Sequence, residues 1–258
     1  MALNHYKLNL KPSEIKSVTL SEKLYEISGL ALTNDGRIFC HTDEDGTVFE
    51  IDPNSGDIVK EFSLGPGKVR EDFEGIAISR NYFYLVTSSG NLYRFKEGKN
   101  KEKVKYEIFR TPLSISYDVE GLCYDPETNS LLLACKEFAG LDYRNKRAVY
   151  SYSLNKMKLN EKPRFLLSIK EIEKATDKNI FSPSGMERHP KTGTYFLLTG
   201  KGRAIVEISK KGKVLAEENL NEKIHKQPEG ITFLPDLTML ISDEGAGGKA
   251  RLTRYPYY

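Results

Sequence analysis

The chain has no tryptophan, three cysteines, four histidines and little excess of either charge across 258 residues. Each shortage closes a class. Without tryptophan there is no Trp-Asp pair, the mark of the commonest seven-bladed repeat proteins. Cys40, Cys123 and Cys135 stand singly in apolar stretches, without the paired spacing of a zinc site, and an odd count makes no disulfide framework; they are expected as buried free thiols. A net charge of +3, from 39 basic and 36 acidic residues, leaves no field for nucleic acid. The densest basic stretch, "KEGKNKEKVK" from Lys96 to Lys105, is broken by Glu97 and Glu102, so it reads as a solvated hairpin tip. No apolar run is long enough to span a bilayer, and "MALNHYKLNL" carries no signal-peptide core. A GxSxG elbow is missing too, the serines of "SPSG" have no histidine at an expected place, and no Cys–His pairing suggests itself, which argues against a nucleophilic hydrolase.

What the chain does have is a recurring phrase. "EISGLAL" begins at Glu26, "DFEGIAI" at Asp72, "DVEGLCY" at Asp118, "SPSGMER" at Ser182 and "QPEGITF" at Gln227. Its glycines, Gly29, Gly75, Gly121, Gly185 and Gly230, are spaced by 46, 46, 64 and 45 residues. Periods of this length mark propellers and other repeat arrays. Within an interval the events repeat in order: "GLAL", the turn "TNDG", "RIFCH", the turn "DEDG", "TVFEID", the turn "PNSG" and "IVKEFSL". Four short strands joined by Gly, Asn and Asp turns make one propeller blade.

The fifth unit ends after three strands, while Ile15 to Leu20, in "IKSVTLSEKLYEISG", look like a fourth strand without a blade. Pairing the two would close the ring and leave no sheet edge open. The expected fold is therefore all-β: a single five-bladed β-propeller over residues 1–258, with a six-bladed ring, an open repeat stack or a β-sandwich as alternatives. The long third interval divides its extra residues between "KEFAGLDYRNKR" and "LSIKEIEKATDKNIF"; the latter has helical spacing at Ile169 and Ile172 and predicts a short surface helix.

In a propeller the entry of each first strand and the end of each second strand meet around one channel mouth. The residues before the five glycines are Ser28, Glu74, Glu120, Ser184 and Glu229. The second-strand ends bring Asp43, Glu137, Asp243 and Glu244. The glycine has a fold reason: it turns tightly into the channel strand, where a Cβ would crowd neighbouring blades. The glutamates have none. Glutamate starts strands poorly, and three carboxylates on one axis repel each other and raise one another's pKa. A divalent cation removes that penalty, so Glu74, Glu120 and Glu229 are the expected ligands of a Ca²⁺ ion, completed by serine hydroxyls, carbonyls and waters. The alternatives are a hydrated acidic mouth without a dedicated ion, and capping or pairing with Lys136, Lys201 or Arg203. Glu26, Asp72 and Asp118, two residues earlier, are expected to set turns. His41 reads as an exposed turn histidine, or as a base if it faces the mouth.

On these phrases, together with "GRIFCHTDEDGTVFEID", "QPEGITFLPD" and "ISDEGAGGKARLTRYPY", the chain resembles the bacterial SdiA-regulated β-propeller family along nearly its whole length. The resemblance implies a propeller of the cell envelope or a secreted one, with a possible calcium site and no defined activity. More distantly, the "EG" phrase is similar to that of the senescence-marker/gluconolactonase and esterase-like phytase propellers, which are metal-dependent hydrolases. Here no "NG" or "DG" pair follows at the corresponding inner positions, so the lactonase ligand set is incomplete.

Two functions follow as expectations. One is a non-catalytic, monomeric binding propeller whose mouth takes a small molecule, a glycan or a protein segment. The other is a calcium-dependent hydrolase of lactones, esters or phosphoesters, with Asp43, Glu137, Asp243 or His41 as its base. A purely structural platform is a third, and it makes little use of the acids.

Overall fold

Each recurring phrase forms the innermost strand of an antiparallel sheet, and five such sheets make the ring. The structure is a computed structural model that describes residues 2–8, 11, 14–176 and 181–258. Blade one comprises Ile27–Leu32, Ile38–Thr42, Thr47–Ile51 and Ile58–Leu64. Blade two comprises Phe73–Ser79, Tyr82–Thr87, Leu92–Phe95 and Tyr106–Phe109. In blade three, Val119–Asp125, Ser130–Cys135 and Lys146–Ser153 are followed by a fourth strand split into Lys158–Leu159 and Phe165–Ser168. Blade four comprises Pro183–Arg188, Tyr195–Thr199, Ala204–Ile208 and Val214–Asn219. Blade five has Pro228–Phe233, Met239–Asp243 and Arg251–Tyr255, and its outer strand is Lys16–Thr19 from the opposite end of the chain.

That closing strand pairs antiparallel with Arg251–Tyr255, Val18 opposite Leu252. It is anchored further by Glu207, a buried carboxylate that accepts the backbone N–H of Ala2 at 3.0 Å and of Leu3 at 2.9 Å. The five-bladed expectation is thus met, including its non-covalent closure. The expected surface helix is present as Ile169–Thr176; residues 177–180 of the same stretch lie outside the described residues.

The basic tip differs from expectation. Lys103 and Val104 leave it to pair in parallel with Ser63 and Leu64 of blade one, because Val104 is an apolar residue that blade one can bury. The other basic residues of the stretch stay exposed.

The core consists of wedges between neighbouring blades rather than one centre. Between blades one and two, Phe39, Phe62, Phe83 and Phe95 pack as a ring cluster, Phe39 and Phe83 edge-to-face at 4.9 Å. A blade in the middle of such a stack is covered on both faces. Its second strand therefore reads as an unbroken apolar run, "SLLLAC" in blade three, with all of Ser130–Cys135 buried. The three cysteines lie in these wedges as buried free thiols.

Candidate functional site

At the start of every first strand the ladder slips by one residue. The slip falls between Ile27 and Gly29, Phe73 and Gly75, Val119 and Gly121, Pro183 and Gly185, and Pro228 and Gly230. The residue inside each slip is Ser28, Glu74, Glu120, Ser184 or Glu229. An extra residue in one strand is a β-bulge, which bends the strand and re-aims the side chain it carries. This is why the acid recurs at one offset: the bulge points it along the channel instead of into a wedge. Ser28, Glu74, Glu120 and Glu229 line one small cavity. Ser184 is turned aside, its hydroxyl donating to the Pro228 carbonyl at 2.7 Å.

The glycine beside the bulge serves a different purpose from a turn. None of the five has a left-handed φ. A Cβ on Gly29 would stand 3.2 Å from Ile76, on Gly75 2.8 Å from Leu122, and on Gly121 3.1 Å from Met186. On Gly230 it would come within 2.9 Å of Leu30, and on Gly185 it would overlap the Glu229 carbonyl. In four of the five blades the missing side chain is thus the socket for the residue after the next blade's glycine. The glycines thus relieve crowding between blades, as expected, and do so through this interlock rather than through a turn. Leu30, Ile76, Leu122, Met186 and Ile231, all buried, form the apolar layer beneath the acids.

Around the mouth the charge is unbalanced. Lys136, at the end of a second strand, donates to Glu120 Oε1 at 2.6 Å and lies 3.9 Å from Asp118. Burial pushes the Glu74 and Glu120 carboxyls well above the usual carboxylate range; their mutual repulsion raises Glu74 further, and Lys136 offsets part of the rise at Glu120. Glu229 is raised by burial first and by Glu120 and Glu244 next. Glu244 is pushed up to about 7 by burial and by Asp43 and Glu26. Asp43 is pushed up to about 6 by burial and by Glu26 and Asp72, and its buried Oδ1 has no hydrogen-bond partner among the described residues. Eight acids thus gather around Lys136, the one lysine paired with them among the described residues. Among the described residues, no three His, Cys, Asp or Glu side chains are grouped closely enough to ligate one ion.

The other sequence candidates lie elsewhere. Glu137 is exposed, 3.9 Å from Arg147. Asp243 is buried inside blade five, where its Oδ2 lies 2.7 Å from Nδ1 of His225, whose Nε2 lies 2.6 Å from the Tyr255 hydroxyl. That buried chain has no marker in the sequence, because its members come from three separate strands and loops. His41 is a strand residue with no exposed surface, so the exposed-turn reading is corrected. Its Nδ1 lies 3.0 Å from the Thr42 carbonyl oxygen, and burial pushes its pKa down to about 4. The ring occupies the space that Gly29 leaves open. Lys201 and Arg203, the other pairing candidates, form no ion pair with an acid among the described residues, whereas Lys136 does.

Solved structures with this architecture are many and distant. The chain superposes on Myxococcus xanthus glutaminyl cyclase with a TM-score of 0.63 at 14% identity, covering 95% of this chain and 96% of that one. A luciferin-regenerating enzyme gives 0.58 at 12% identity over 94% and 95%. A streptogramin B lyase gives 0.53 at 12% over 99% of each. At such identities the likeness establishes the propeller fold alone. No curated protein matches the chain. No helix among the described residues is long and apolar enough to cross a membrane. The sequence resemblance does find support in a family model: over residues 155–253, from the end of blade three to the last strand of blade five, the chain matches the SdiA-regulated family.

Proposed function

We propose that this chain is a non-catalytic binding propeller whose channel mouth takes a cation, Ca²⁺ foremost, either alone or as a bridge to an anionic group of a small molecule, glycan or protein segment. The observation that carries the reading is the set of bulge-held glutamates, Glu74, Glu120 and Glu229, on one cavity, with Lys136 the one cation paired with them among the described residues. Their oxygens are hard donors of the kind Ca²⁺ takes, and Ser28 adds a hydroxyl at the same level. An ion there would neutralise the carboxylates and polarise an oxygen of whatever it bridges. The three acids do not yet share one coordination sphere, so binding requires them to draw together and displace Lys136 from Glu120. Affinity is therefore expected at the weak end for calcium modules, roughly 10⁻⁴–10⁻³ M. The SdiA-regulated resemblance adds an envelope or secreted setting to the reading, where free calcium is plentiful.

The test is thermal melting with and without Ca²⁺, on wild type and on a Glu74→Gln, Glu120→Gln double variant. A calcium-dependent rise in wild type that the variant lacks supports the site, and a wild type indifferent to Ca²⁺ sinks it.

One observation favours the hydrolase reading. Asp43, with its raised pKa of about 6 and an unpartnered oxygen, has the profile of a general base at the mouth. Turnover of lactones, phosphate esters or aryl esters that is lost on Asp43→Asn would replace the binding reading with this one.

A further inference from the structure

The channel has a second end. Beyond the apolar layer of Leu30, Ile76, Leu122, Met186 and Ile231, the first strands run on to an open hollow on the face opposite the acidic mouth. The repeat supplies its own standard of comparison there. Two residues after the ruler glycine, the blades carry Ala31, Ala77, Cys123, Glu187 and Thr232; three residues after, they carry Leu32, Ile78, Tyr124, Arg188 and Phe233. Four blades thus place a small residue and then an apolar one. Blade four alone places a carboxylate and then a guanidinium. A departure confined to one blade is not required by the fold, since its four neighbours close the same ring without it.

The charges in that corner sort themselves. Arg188 lies 3.5 Å from Asp125 and 2.5 Å from Glu127, and Glu127 also pairs with Lys210 at 2.5 Å. Those two cations and two anions cancel, which leaves Glu187 over. Among the described residues its carboxylate accepts one hydrogen bond, at Oε1 from the N–H of Arg188 at 2.6 Å. The same side chain lines the hollow, whose walls mix Ala31, Ala77, Ile78 and Phe233 with Asn34 and Thr232. Burial pushes its pKa up to about 8, with Arg188 opposing the rise, and the neighbouring Cys123 thiol is itself held protonated by burial. Glu187 is thus a neutral acid at the wall of a cup that is apolar on one side. Tyr124 and Phe233 bring aromatic rings to the same cup.

We propose that this hollow is a second binding site, for an organic ammonium: an amine whose nitrogen is held by the Glu187 carboxylate and whose apolar body rests on Ala31, Ala77, Ile78, Tyr124 and Phe233. An anionic ligand fits less well, because the guanidinium already pairs with Glu127 and lies 3.5 Å from Asp125, although its buried Nε has no hydrogen-bond partner among the described residues. Binding is coupled to a proton. The protonated carboxyl gives up its hydrogen to solvent as the ammonium arrives, so one cation enters and one proton leaves. The site is separated from the mouth by the apolar layer and stands independently of the calcium reading.

The experiment is calorimetric titration of the full chain at neutral pH with phenethylamine and with its neutral counterpart 2-phenylethanol. The amine is expected to bind at least roughly tenfold tighter than the alcohol, as a charge-assisted hydrogen bond requires. Its heat should change with the ionisation enthalpy of the buffer, reporting the released proton, and Glu187→Gln should remove both effects without lowering the melting temperature. Equal binding of amine and alcohol, or no binding by either, overturns the proposal on wild-type protein alone. So does amine binding that survives Glu187→Gln and is lost in the Glu74→Gln, Glu120→Gln variant, which would put the amine at the acidic mouth.

Discussion

Lys136 Nζ and Glu120 Oε1 stand 2.6 Å apart at the channel mouth, and this ion pair opposes the repulsion among the buried glutamates. Removing the cation leaves a buried carboxylate without its partner. Lys136→Met is expected to lose about 1–3 kcal/mol of stability in urea unfolding at alkaline pH. Adding Glu120→Gln to it should restore most of the loss, since the amide needs no counter-charge. The single variant should also gain Ca²⁺ affinity, because the ion no longer competes with an ammonium.

The raised carboxyl pKa values set the sign of the pH dependence. A carboxyl that titrates higher in the folded chain than in the unfolded one keeps its proton longer in the folded state. Folded protein then binds more protons than unfolded, and stability falls as pH rises through that window. The window opens near the ordinary carboxylate value of about 4. It extends past Asp43, at about 6, and past Glu244 and Glu120, each at about 7, with Glu74 and Glu229 carrying it higher. Melting temperature should therefore decline from mildly acidic to mildly alkaline buffer, the reverse of a protein held by ion-paired carboxylates. Glu74→Gln with Glu120→Gln should flatten the decline, and Ca²⁺ should stabilise wild type more in alkaline buffer than in acid. A melting temperature that climbs with pH across this window would contradict the electrostatics described here.

Glycines at two positions should respond in opposite directions. A Cβ on Gly75 would lie 2.8 Å from the Leu122 Cβ and 3.0 Å from its backbone N, so the clash cannot be relieved by a side-chain rotation alone. Gly75→Ala is expected to cost about 1–3 kcal/mol, the usual range for overpacking. Gly67 has no atom within 4 Å of the same built Cβ and no left-handed φ. Gly67→Ala should be neutral or stabilising by up to about 1 kcal/mol, through the lost entropy of the unfolded chain. Urea unfolding of the two variants side by side measures the difference.

The reach of the sequence follows from what repeats. Blade number, strand order and closure were legible because each is written five times, in a glycine ruler and in turn residues with local causes. The acids at Glu74, Glu120 and Glu229 were legible for the same reason. The bulge that aims them was not, since a slipped ladder depends on the partner strand. His41 was misread as a turn residue because "HTDED" looks like loop, whereas the strand continues through Thr42 and a missing Cβ in the neighbouring strand makes room for the ring. Asp243 carries no hint that His225, from a loop upstream, would take its carboxylate. Glu187 had a signal in "GMER", a charged pair where the other blades read small-then-apolar, and aligning the phrases past the glycine exposes it.

Closure of the ring by Lys16–Thr19 makes the last prediction. The strand contributes four cross-strand pairs with Arg251–Tyr255, each worth roughly 0.2–1 kcal/mol. Leu20 beyond it is buried in the wedge between blades five and one. Ala2 and Leu3 donate to the buried Glu207 carboxylate, which would otherwise stand unpaired among the described residues of blade four. Deleting residues 1–20 should therefore lower stability by more than the pairs alone, uncover the Arg251–Tyr255 edge and promote association between copies. A synthetic peptide of residues 1–20 added in trans should restore both the melting temperature and the association state of the intact chain, because the closure is non-covalent there. If the truncated chain keeps its melting temperature, or if the peptide has no effect on it, the strand is an ornament on a ring that closes without it.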